Sequence, residues 1–311
     1  MDYLYRVERI LQDGEATVKE VISSPGGSAA NTIYGLARLG IKTGFIGAVG
    51  SDADGKAILE DFNTAGVDTG QIKRKRGVRT GSVIGFTDEL GRRALYVLPG
   101  ANNRLTRNDL DLSYTNQAGV FHLSSYADDR QFKLSVKIVE ALAPEVKVSF
   151  APGALYVSRG LKALLPVLKR TAVLFLNHDE MEQLAGKDIR IGAENCLKTG
   201  CRIVAVTLGK GIKLKAGKKP ITAISYIRDA RKEYLIAPPP GGVSIADTTG
   251  AGDAFAAGFL YGWRNDKDLE TCGRIGNTVA RCSIKEIGAR RGLPTLNELA
   301  QRYRELYGEA L

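Results

Sequence analysis

The stretch that decides the fold is residues 172–207, which read AVLFLNHDEMEQLAGKDIRIGAENCLKTGCRIVAVT. Apolar runs occupy its two ends, at residues 172–176 and 203–207, and neither run alternates apolar with polar residues. Such runs are typical of strands whose two faces are both covered by helices. The segment at residues 193–198 predicts a helix between them. A strand, a helix and a second strand in this order indicate a right-handed crossover unit of a parallel sheet.

The same alternation of apolar runs and amphipathic segments extends over most of the chain from residue 41 onward. Further strands are predicted at residues 44–49, 119–123 and 146–150, and further helices at residues 57–64, 130–142 and 159–169. The order predicts an α/β fold with a doubly wound, mostly parallel sheet flanked by helices. In such folds ligands bind beyond the carboxyl ends of the strands, so the functional residues are expected there.

Two segments interrupt the alternation and carry polar residues at alternate positions. Residues 3–24 and residues 80–98, the latter with the turn sequence DELG at 88–91, each predict a strand, a turn and a second strand. Together they indicate a small antiparallel β lid, built from discontinuous chain because core elements separate its two parts. The predicted division is an α/β core of residues 25–79 and 99–311 and a lid of residues 2–24 and 80–98.

Composition excludes several classes of protein. An apolar fraction of 44%, with 36 glycines and 10 prolines in 311 residues, is that of a globular chain rather than a disordered or collagen-like one. The longest nearly unbroken apolar stretch, residues 254–263, is too short to span a bilayer. The amino-terminal residues lack the apolar block of a secretory signal, so a cytoplasmic protein is expected. The 4 cysteines lack CxxC spacing and are expected to be reduced, buried thiols rather than metal ligands.

The chain carries 44 Lys and Arg against 34 Asp and Glu, a formal net charge of +10. A basic run lies at Lys73, Arg74, Lys75, Arg76 and Arg79. Such runs occur in nucleic-acid-binding proteins, but no aromatic residues interleave with this one and no nucleic-acid motif surrounds it. We therefore favour a solvated loop or strand edge, with no nucleic acid as partner. An excess of positive charge also suits an anionic ligand such as a nucleotide.

The strongest chemical signature is the sequence Asp247-Thr248-Thr249-Gly250-Ala251-Gly252-Asp253, which precedes an apolar segment of helical periodicity. The small residues Gly250, Ala251 and Gly252 let main-chain amides converge at a helix start, where the helix dipole favours anions. This geometry suits the negative charge of a transferring phosphoryl group. Asp253, in the first turn, is placed to accept a proton from a hydroxyl group. The alternative is an ordinary helix cap, a role that Asp often fills.

A second signature is Pro25-Gly26-Gly27-Ser28-Ala29-Ala30-Asn31, which opens a predicted helix that ends near Gly40. Paired glycines permit close approach of the backbone to a polyhydroxylated ligand, and the Asn31 side chain offers both a donor and an acceptor. A plain turn between a strand and a helix has the same composition. The residues alone do not decide between these two interpretations.

Together the two signatures resemble those of a known family. GGSAANTIYGLARLG at 26–40, followed by GFIGAVGSDADG at 44–55, is similar to the first signature of the ribokinase-like, or phosphofructokinase-B (PfkB), carbohydrate kinases. DTTGAGDAFAAGFLYG at 247–262 is similar to their second signature. The resemblance covers nearly the whole chain and implies a large α/β domain capped by a β lid.

The resemblance also implies roles for the residues at matching positions. It makes Asp253 the general base and gives the anion hole to Gly250, Ala251 and Gly252. It gives contacts with the sugar to Asp2, Gly26, Gly27 and Asn31. It places the nucleotide at Asn177, Glu180, Thr207, Gly209, Gly211 and Asn277, with Glu180 near Mg²⁺ through water. It puts Asp247 and Thr249 in a segment that can hold a monovalent cation such as K⁺.

For some of these positions the residues leave a simpler interpretation open. Asn177 is a common turn residue, and Glu180 is a common solvated charge. Residues 207–211 contain a Gly-x-Gly that follows a predicted strand, and many strands end on glycine.

The activity that the resemblance implies is that of a Mg·ATP-dependent kinase acting on the primary hydroxyl of a small sugar, ribose-like or a ketose. The alternative on the same scaffold is a nucleoside kinase. A non-catalytic sugar or nucleotide sensor is less consistent with the residues, because a sensor needs no base beside an anion hole. Lid strands pair between subunits in this family, which implies a homodimer through the lid.

One departure from the family concerns the amino terminus. In relatives a core strand precedes the position equated with Asp2, whereas this sequence begins at Met1, immediately before it. Loss of an interior strand would leave the edges of neighbouring strands unpaired. The expectation is therefore that the native chain starts about one strand, ~5–10 residues, upstream of Met1.

Overall fold

Strands and helices alternate along the chain of the computed structural model, which describes residues 1–10, 15–89, 93–126, 128–216 and 219–311. The strands are β1 (Asp2–Val7), β2 (Val18–Ser24), β3 (Gly47–Gly50), β4 (Ile72–Lys75), β5 (Ser82–Thr87), β6 (Arg93–Leu98), β7 (Val120–Ser124), β8 (Lys147–Ala151), β9 (Thr171–Asn177), β10 (Ile203–Ala216), β11 (Lys219–Asp229) and β12 (Glu233–Ile236). The helices are α1 (Ser28–Arg38), α2 (Ala53–Ala65), α3 (Leu112–Thr115), α4 (Asp129–Ala141), α5 (Gly153–Val157), α6 (Gly160–Leu168), α7 (His178–Ala185), α8 (Ile189–Lys198), α9 (Ala251–Arg264), α10 (Leu269–Ser283) and α11 (Leu296–Tyr307). Within the described ranges, none of these helices combines the length and the apolar character needed to cross a bilayer.

The main sheet has six strands in the order β12-β11-β10-β9-β8-β7. Strands β7, β8, β9 and β10 are parallel, and β11 and β12 add an antiparallel edge. Leu174 of β9 pairs with Val204 of β10, and both residues are completely buried. The predicted α/β class, with a doubly wound and mostly parallel sheet, is therefore confirmed.

Strand β10 is longer than the apolar run predicts. The prediction ended the strand at residue 207, but β10 continues to residue 216 and pairs with β11 along its length. The pairing register shifts between Thr207 and Ile212. The segment expected to form a loop after the strand is therefore an irregularity within β10. The antiparallel neighbour β11 extends the hydrogen-bond ladder beyond the parallel part of the sheet.

Helices cover the two faces of the main sheet with separate apolar clusters. Leu174 and Leu176 of β9 belong to the cluster with Tyr156 and Leu164 of the α5–α6 region. The alternate residue of the same strand, Phe175, belongs to the cluster on the opposite face. There it contacts the rings of α9, with centroid distances of 6.3 Å to Phe255 and 5.4 Å to Phe259. These contacts fix α9 over β9.

A second sheet has four strands in the order β2-β1-β5-β6. It consists of the two segments that the sequence predicts for the lid, and the small β sheet is confirmed. Its outer pairs, β1–β2 and β5–β6, are antiparallel, whereas the central pair β1–β5 is parallel, with Asp2 opposite Val83. Residues 90 and 91 of the DELG turn lie outside the described residues.

Strands β3 and β4 form a separate parallel pair. The strand predicted at residues 44–49 begins only at Gly47. Before it, Gly44 forms an isolated parallel bridge with Asp68, and Phe45 donates its backbone N–H to the Asp68 carbonyl at 3.0 Å. The basic run lies partly on β4, where Lys75 forms an ion pair with Asp109 at 2.7 Å. This position agrees with the interpretation of the basic run as a strand edge.

Helix α9 packs very closely against α10 at Gly258. A Cβ atom built on Gly258 would lie 2.8 Å from the carbonyl oxygen of Ile275 and 2.9 Å from the Cα of Gly276. Both are backbone atoms of α10 and cannot rotate away. The position of α9 therefore depends on a residue without a side chain.

Gly258→Ala should destabilise the protein. A glycine-to-alanine change in a helix favours folding by about 1 kcal/mol, but forcing an extra methyl group into a packed interface costs about 1–3 kcal/mol. Because the clash is with backbone atoms, the cost should lie in the upper part of this range, and we expect a net loss of about 1–2 kcal/mol in the free energy of unfolding, measured by urea denaturation. Gly242→Ala is the control, because a Cβ there has nothing within 4 Å. A Gly258→Ala protein as stable as the wild type would contradict the close packing of α9 on α10.

Candidate active site

The first turn of α9 is set by Gly250. This residue has a φ of 75° and a ψ of 4°, in the left-handed region that glycine adopts without strain. A Cβ on Gly250 would also lie 2.6 Å from the Cβ of Ala289, so a side chain would not fit. The Gly250 carbonyl accepts from the N–H of Ala254 at 2.8 Å, and the N–H of Ala251 donates to the carbonyl of Thr248 at 3.2 Å. The amides of this turn lie at the positive end of the helix dipole, where an anion is stabilised.

Asp253 lies in the same turn, where α1 approaches α9. Ser28 donates from Oγ to Oδ1 of Asp253 at 2.8 Å, and Asn31 donates from Nδ2 to Oδ2 at 2.9 Å. The N-cap position of α9 is Gly250, so the alternative that Asp253 is an ordinary helix cap does not hold. The two sequence signatures therefore meet at one carboxylate. Ser28 was not singled out from the sequence as a site residue, although it lies within the signature at residues 25–31.

The pKa of the Asp253 carboxyl group is raised from its ordinary value of 3.8 to about 6. The main cause is the loss of water around the carboxylate, and the negative charge of Asp2 acts in the same direction. The donors on Asn31 and Ser28 and the positive charge of Arg290 oppose the shift. At pH 7 the group is therefore mostly ionised, yet it is a stronger base than a solvated Asp.

Asp2 lies against the glycine turn that precedes α1. It begins β1 and is 8% exposed. A Cβ on Gly26 would lie 2.0 Å from Oδ2 of Asp2, so the carboxylate occupies the space that a side chain at this position would need. Gly27 has a φ of 97°, and its carbonyl accepts from the N–H of Asn31 at 2.8 Å. The structure thus brings the four residues predicted to contact the sugar together beside Asp253.

Arg290 lies beside these residues, and the sequence analysis did not identify it. It follows α10 and is 6% exposed. Its Nε donates to Oδ1 of Asn31 and its Nη2 donates to the carbonyl of Gly26, both at 2.9 Å. Its Nη1 forms an ion pair with Asp61 of α2. The sequence carries no signal for this role, because Arg290 and Arg291 are adjacent and identical and only the fold buries the first.

Two of the predicted nucleotide-binding residues lie at the carboxyl end of β9 and at the end of the parallel part of β10. Asn177 ends β9 and pairs with Thr207 of β10. Asn177 and Glu180 form a reciprocal capping box on α7, with Oδ1 of Asn177 accepting at 2.8 Å and Oε2 of Glu180 accepting at 2.9 Å. Burial raises the pKa of Glu180. The spacing of the two residues is also the sequence signature of this capping motif, a structural role that the sequence analysis missed.

Gly209 and Gly211 lie within the irregular part of β10. Their φ angles are 56° and 99°, both in the left-handed region. A Cβ on Gly211 would lie 2.9 Å from Cγ2 of Thr222 on the neighbouring strand. The glycines predicted to form a nucleotide loop therefore shape the transition between the parallel and antiparallel parts of the sheet.

Three further predicted residues are held by hydrogen bonds. Asn277 of α10 is 8% exposed and donates from Nδ2 to Oγ of Ser225 on β11 at 2.9 Å. Asp247 accepts at Oδ1 from the N–H and the hydroxyl of Thr249, at 2.9 Å and 2.7 Å. Its Oδ2 accepts from the N–H of Gly288 at 2.9 Å. Asp247 therefore joins the segment before α9 to the segment after α10.

Comparison with known proteins points to one family. Residues 1–296 match the family model described as pfkB family carbohydrate kinase. The chain is 40% identical to an uncharacterized sugar kinase of Archaeoglobus fulgidus, over 84% of this chain and 98% of that protein. It is 31% identical to an ATP-dependent ribose-1-phosphate kinase of Halopiger xanaduensis, over 96% of this chain and 93% of that protein. The fold is similar to that of Arabidopsis thaliana ribokinase complexed with ribose and ATP, with a TM-score of 0.81 at 24% identity, covering 97% of this chain and 95% of that one.

Asp253→Asn should change how stability depends on pH. A carboxyl group whose pKa rises from 3.8 to about 6 on folding binds its proton more tightly in the folded state. Its contribution to stability is complete at low pH and is lost as the pH rises from about 4 to about 6. The free energy of unfolding of the wild type should therefore fall over this range, relative to Asp253→Asn, by up to about 3 kcal/mol. Urea denaturation at several pH values measures the difference.

Asp266→Asn is the matched control. Asp266 is exposed and has a φ of 55°, a conformation that Asn adopts readily. The change removes the same charge from a solvated position, so its stability should follow the wild-type pH dependence. If wild type and Asp253→Asn show the same pH dependence, the pKa of Asp253 is not raised.

Proposed function

Because the chain belongs to the pfkB family of carbohydrate kinases and is a phosphotransferase that acts on a sugar, we propose that it transfers the γ-phosphoryl group of ATP to the primary hydroxyl of a small ribose-like sugar. The observation that carries this proposal is the position of the Asp253 carboxylate, held by Ser28 and Asn31 at the N-terminus of α9. A base and a set of helix amides in one turn match the requirements of phosphoryl transfer to an alcohol.

In the proposed reaction Asp253 is the general base. It accepts the proton of the acceptor hydroxyl while the oxygen of that hydroxyl attacks the γ-phosphorus of ATP. The bond between the γ-phosphorus and its bridging oxygen breaks, and ADP leaves with that oxygen. The amides of Gly250, Ala251 and Gly252 form the anion hole, where they stabilise the charge of the migrating phosphoryl group.

The nucleotide is proposed to lie over the carboxyl end of β9 and the end of the parallel part of β10, with Mg²⁺. Asn177 and Glu180 carry amide and carboxylate oxygens there, and such oxygens suit Mg²⁺ and its bound waters. When bound, Mg²⁺ neutralises phosphate charge. The residues proposed to contact ATP are Asn177, Glu180, Thr207, Gly209, Gly211 and Asn277. Asp247 and Thr249 are proposed to order the carbonyls that hold K⁺.

The four-stranded sheet is proposed to be the lid of the site. It is formed by residues 2–24 and 80–98 and covers a core of residues 25–79 and 99–311. Asp2, at the start of β1, lies directly against Gly26 in the turn before α1, so the sheet is joined to the site itself. Closure over the acceptor would exclude water, which otherwise competes for the phosphoryl group.

The acceptor is proposed to contain a ribose ring with a free 5-hydroxyl group. The names of two relatives, a ribose-1-phosphate kinase and a ribokinase, both refer to ribose. Ribose, ribose 1-phosphate and a nucleoside share this ring and differ at the substituent on C1. A nucleoside kinase is the alternative, and the C1 substituent is what an acceptor panel must vary.

The purified protein should release ADP from Mg·ATP with at least one of ribose, ribose 1-phosphate and inosine, with fructose as the ketose for comparison. Asp253→Asn should lower kcat by at least ~10³-fold and leave ATP affinity within about twofold. In the wild type, kcat/KM should fall about tenfold per pH unit below the Asp253 pKa of about 6, because the base is then protonated. A coupled ADP assay measures ADP release with each acceptor, the kcat and ATP KM of the variant, and the pH dependence of kcat/KM.

Asp266→Asn again serves as the control and should retain wild-type turnover. Near-normal turnover of Asp253→Asn would refute the assignment of the base. If none of the ribose-containing acceptors supports ADP release, the proposed acceptor class is wrong.

A homodimer through the lid is also proposed. Six apolar residues of β2 and β6 are more than 40% exposed, namely Val18, Val21, Leu95, Tyr96, Val97 and Leu98. Neighbouring residues of a strand point to opposite faces, so β6 exposes apolar side chains on both faces. β2 and β6 are the two edge strands of their sheet. Exposed apolar edge strands favour association, and a second copy of the chain would cover them.

Leu95→Lys combined with Val97→Lys should convert the dimer to a monomer, because two charges would then have to be buried at the interface. Size-exclusion chromatography with light scattering measures the mass. Leu155→Lys, at a residue that is 45% exposed on α5, is the control and should leave the dimer intact. A wild-type protein that is monomeric at micromolar concentration would contradict the proposal.

A further inference from the structure

Arg290 lies where a charged side chain is costly. It is 6% exposed, and its guanidinium group lies over the rings of Tyr34 and Phe62, at 5.2 Å and 5.0 Å from their centroids. Asp61 of α2 balances its charge through an ion pair. A buried ion pair usually stabilises a fold no more than apolar residues of the same size. The role of Arg290 is therefore better explained by its two other hydrogen bonds.

The first of these bonds fixes the orientation of an amide. Arg290 Nε donates to Oδ1 of Asn31 at 2.9 Å, and Nδ2 of the same amide donates to Oδ2 of Asp253 at 2.9 Å. The guanidinium group has only donors, so it can bond only the oxygen end of the amide. With Arg290 in place, Asn31 presents its NH₂ group to Asp253. A reversed amide would present an oxygen to the carboxylate and repel it.

The second bond holds the turn before α1. Arg290 Nη2 donates to the carbonyl of Gly26 at 2.9 Å. Gly26 in turn lies against the carboxylate of Asp2, and the next residue, Gly27, has a φ of 97°. One guanidinium group therefore fixes both the amide that contacts Asp253 and the backbone turn that is assigned to the acceptor.

We propose that Arg290 is a positioning residue for phosphoryl transfer, which orients the Asp253 carboxylate through Asn31 and sets the acceptor-binding turn through Gly26. The inference rests on the proposed function, because it concerns the same base. Asp61 is the counter-ion that allows the cation to stay buried. In this proposal Arg290 acts through Asn31 and Gly26, which it bonds directly.

The charged groups that face Asp253 come from two other segments. Asp2 approaches from β1 and Arg290 from the segment after α10, while α1 contributes the neutral donors Ser28 and Asn31. Loss of the charge of Arg290 removes a positive charge that favours the ionised form of Asp253, while the negative charge of Asp2 still opposes it. Asp253 should then hold its proton to a higher pH, and the acid limb of the pH–rate profile should move in the same direction.

The test compares Arg290→Gln and Arg290→Lys with Arg291→Gln, which removes the adjacent exposed charge. We expect Arg290→Gln to lower kcat by ~10–100-fold, raise the acceptor KM, and leave the ATP KM within about twofold. Its acid limb should move to higher pH. Arg290→Lys keeps the charge but cannot bond Asn31 and Gly26 with one planar fork, so kcat should stay low while the acid limb returns toward the wild type. Arg291→Gln should behave as the wild type.

Folding of each variant is checked by circular dichroism and urea denaturation. Arg290→Gln leaves the partly buried Asp61 without its ion-pair partner and can therefore fail to fold. Arg290→Met combined with Asp61→Asn removes both charges of the pair and should show the same loss of kcat. The proposal is overturned if folded Arg290→Gln, or the folded double variant, keeps kcat within about twofold of the wild type and an unchanged acid limb of the pH–rate profile. Arg290 then has a packing role only.

The route through Asn31 is tested by combining Asn31→Ala with Arg290→Gln. If Arg290 acts through Asn31, the loss of kcat caused by Arg290→Gln should shrink to less than about threefold when Asn31 is already Ala. A full loss on top of that of Asn31→Ala would show that Arg290 does not act through this amide.

A readout without turnover separates this inference from the proposed function. The free energy of unfolding of the wild type and of Arg290→Gln is measured by urea denaturation over the same pH range. The pH at which it falls because of Asp253 is then compared between the two proteins. A shift to higher pH in the variant supports the coupling of Arg290 to Asp253, and an unchanged profile overturns it. If the wild type phosphorylates none of the acceptors, the proposed function fails whatever this profile shows.

Discussion

The carboxylate of Asp253 is the point on which the arrangement of the site depends. Helices α1 and α9 lie near opposite ends of the sequence, and their first turns meet at this group. Helix α1 contributes the donors Ser28 and Asn31, and Asp253 itself lies in the first turn of α9. Loss of water around the carboxylate opposes its ionisation, while the donors and the helix dipoles favour it. The balance leaves a base whose pKa, about 6, is close to neutral pH. Such a group is mostly ionised at pH 7 and still takes up a proton readily.

Strand β9 links the two sides of the site. Its Phe175 contacts Phe255 and Phe259 and so places α9, which carries the proposed base Asp253. Two residues further on, Asn177 ends the strand and caps α7, where the nucleotide is proposed to lie. The acceptor side and the nucleotide side are therefore both positioned by one buried strand. Because packed interiors deform little, the distance between the two sides is set by the core rather than by loops.

The charge of the site differs from that of the whole chain. The sequence has a net charge of +10, which favours an anionic ligand in general terms. Around Asp253, however, the charges that act on it include those of Asp2 and Arg290, and Asp61 pairs with Arg290. Part of the basic run lies instead on β4, where Lys75 pairs with Asp109. Net charge therefore says little about this site, and the placement of the buried Arg290 says more.

The sequence by itself determined the α/β class, the central strands and the sheet of the proposed lid. The local pattern of apolar and polar residues indicates whether a strand is buried on one face or on both. It also singled out Asp253 and Asn31, since small residues at a helix start are a local pattern. Only the tertiary structure decided that β10 continues past Thr207, because that depends on pairing with β11. It likewise decided that Arg290 is buried beside Asn31 while the adjacent Arg291 is exposed. Contacts between residues distant in sequence bury one arginine and leave its identical neighbour in water, and no local pattern distinguishes the two.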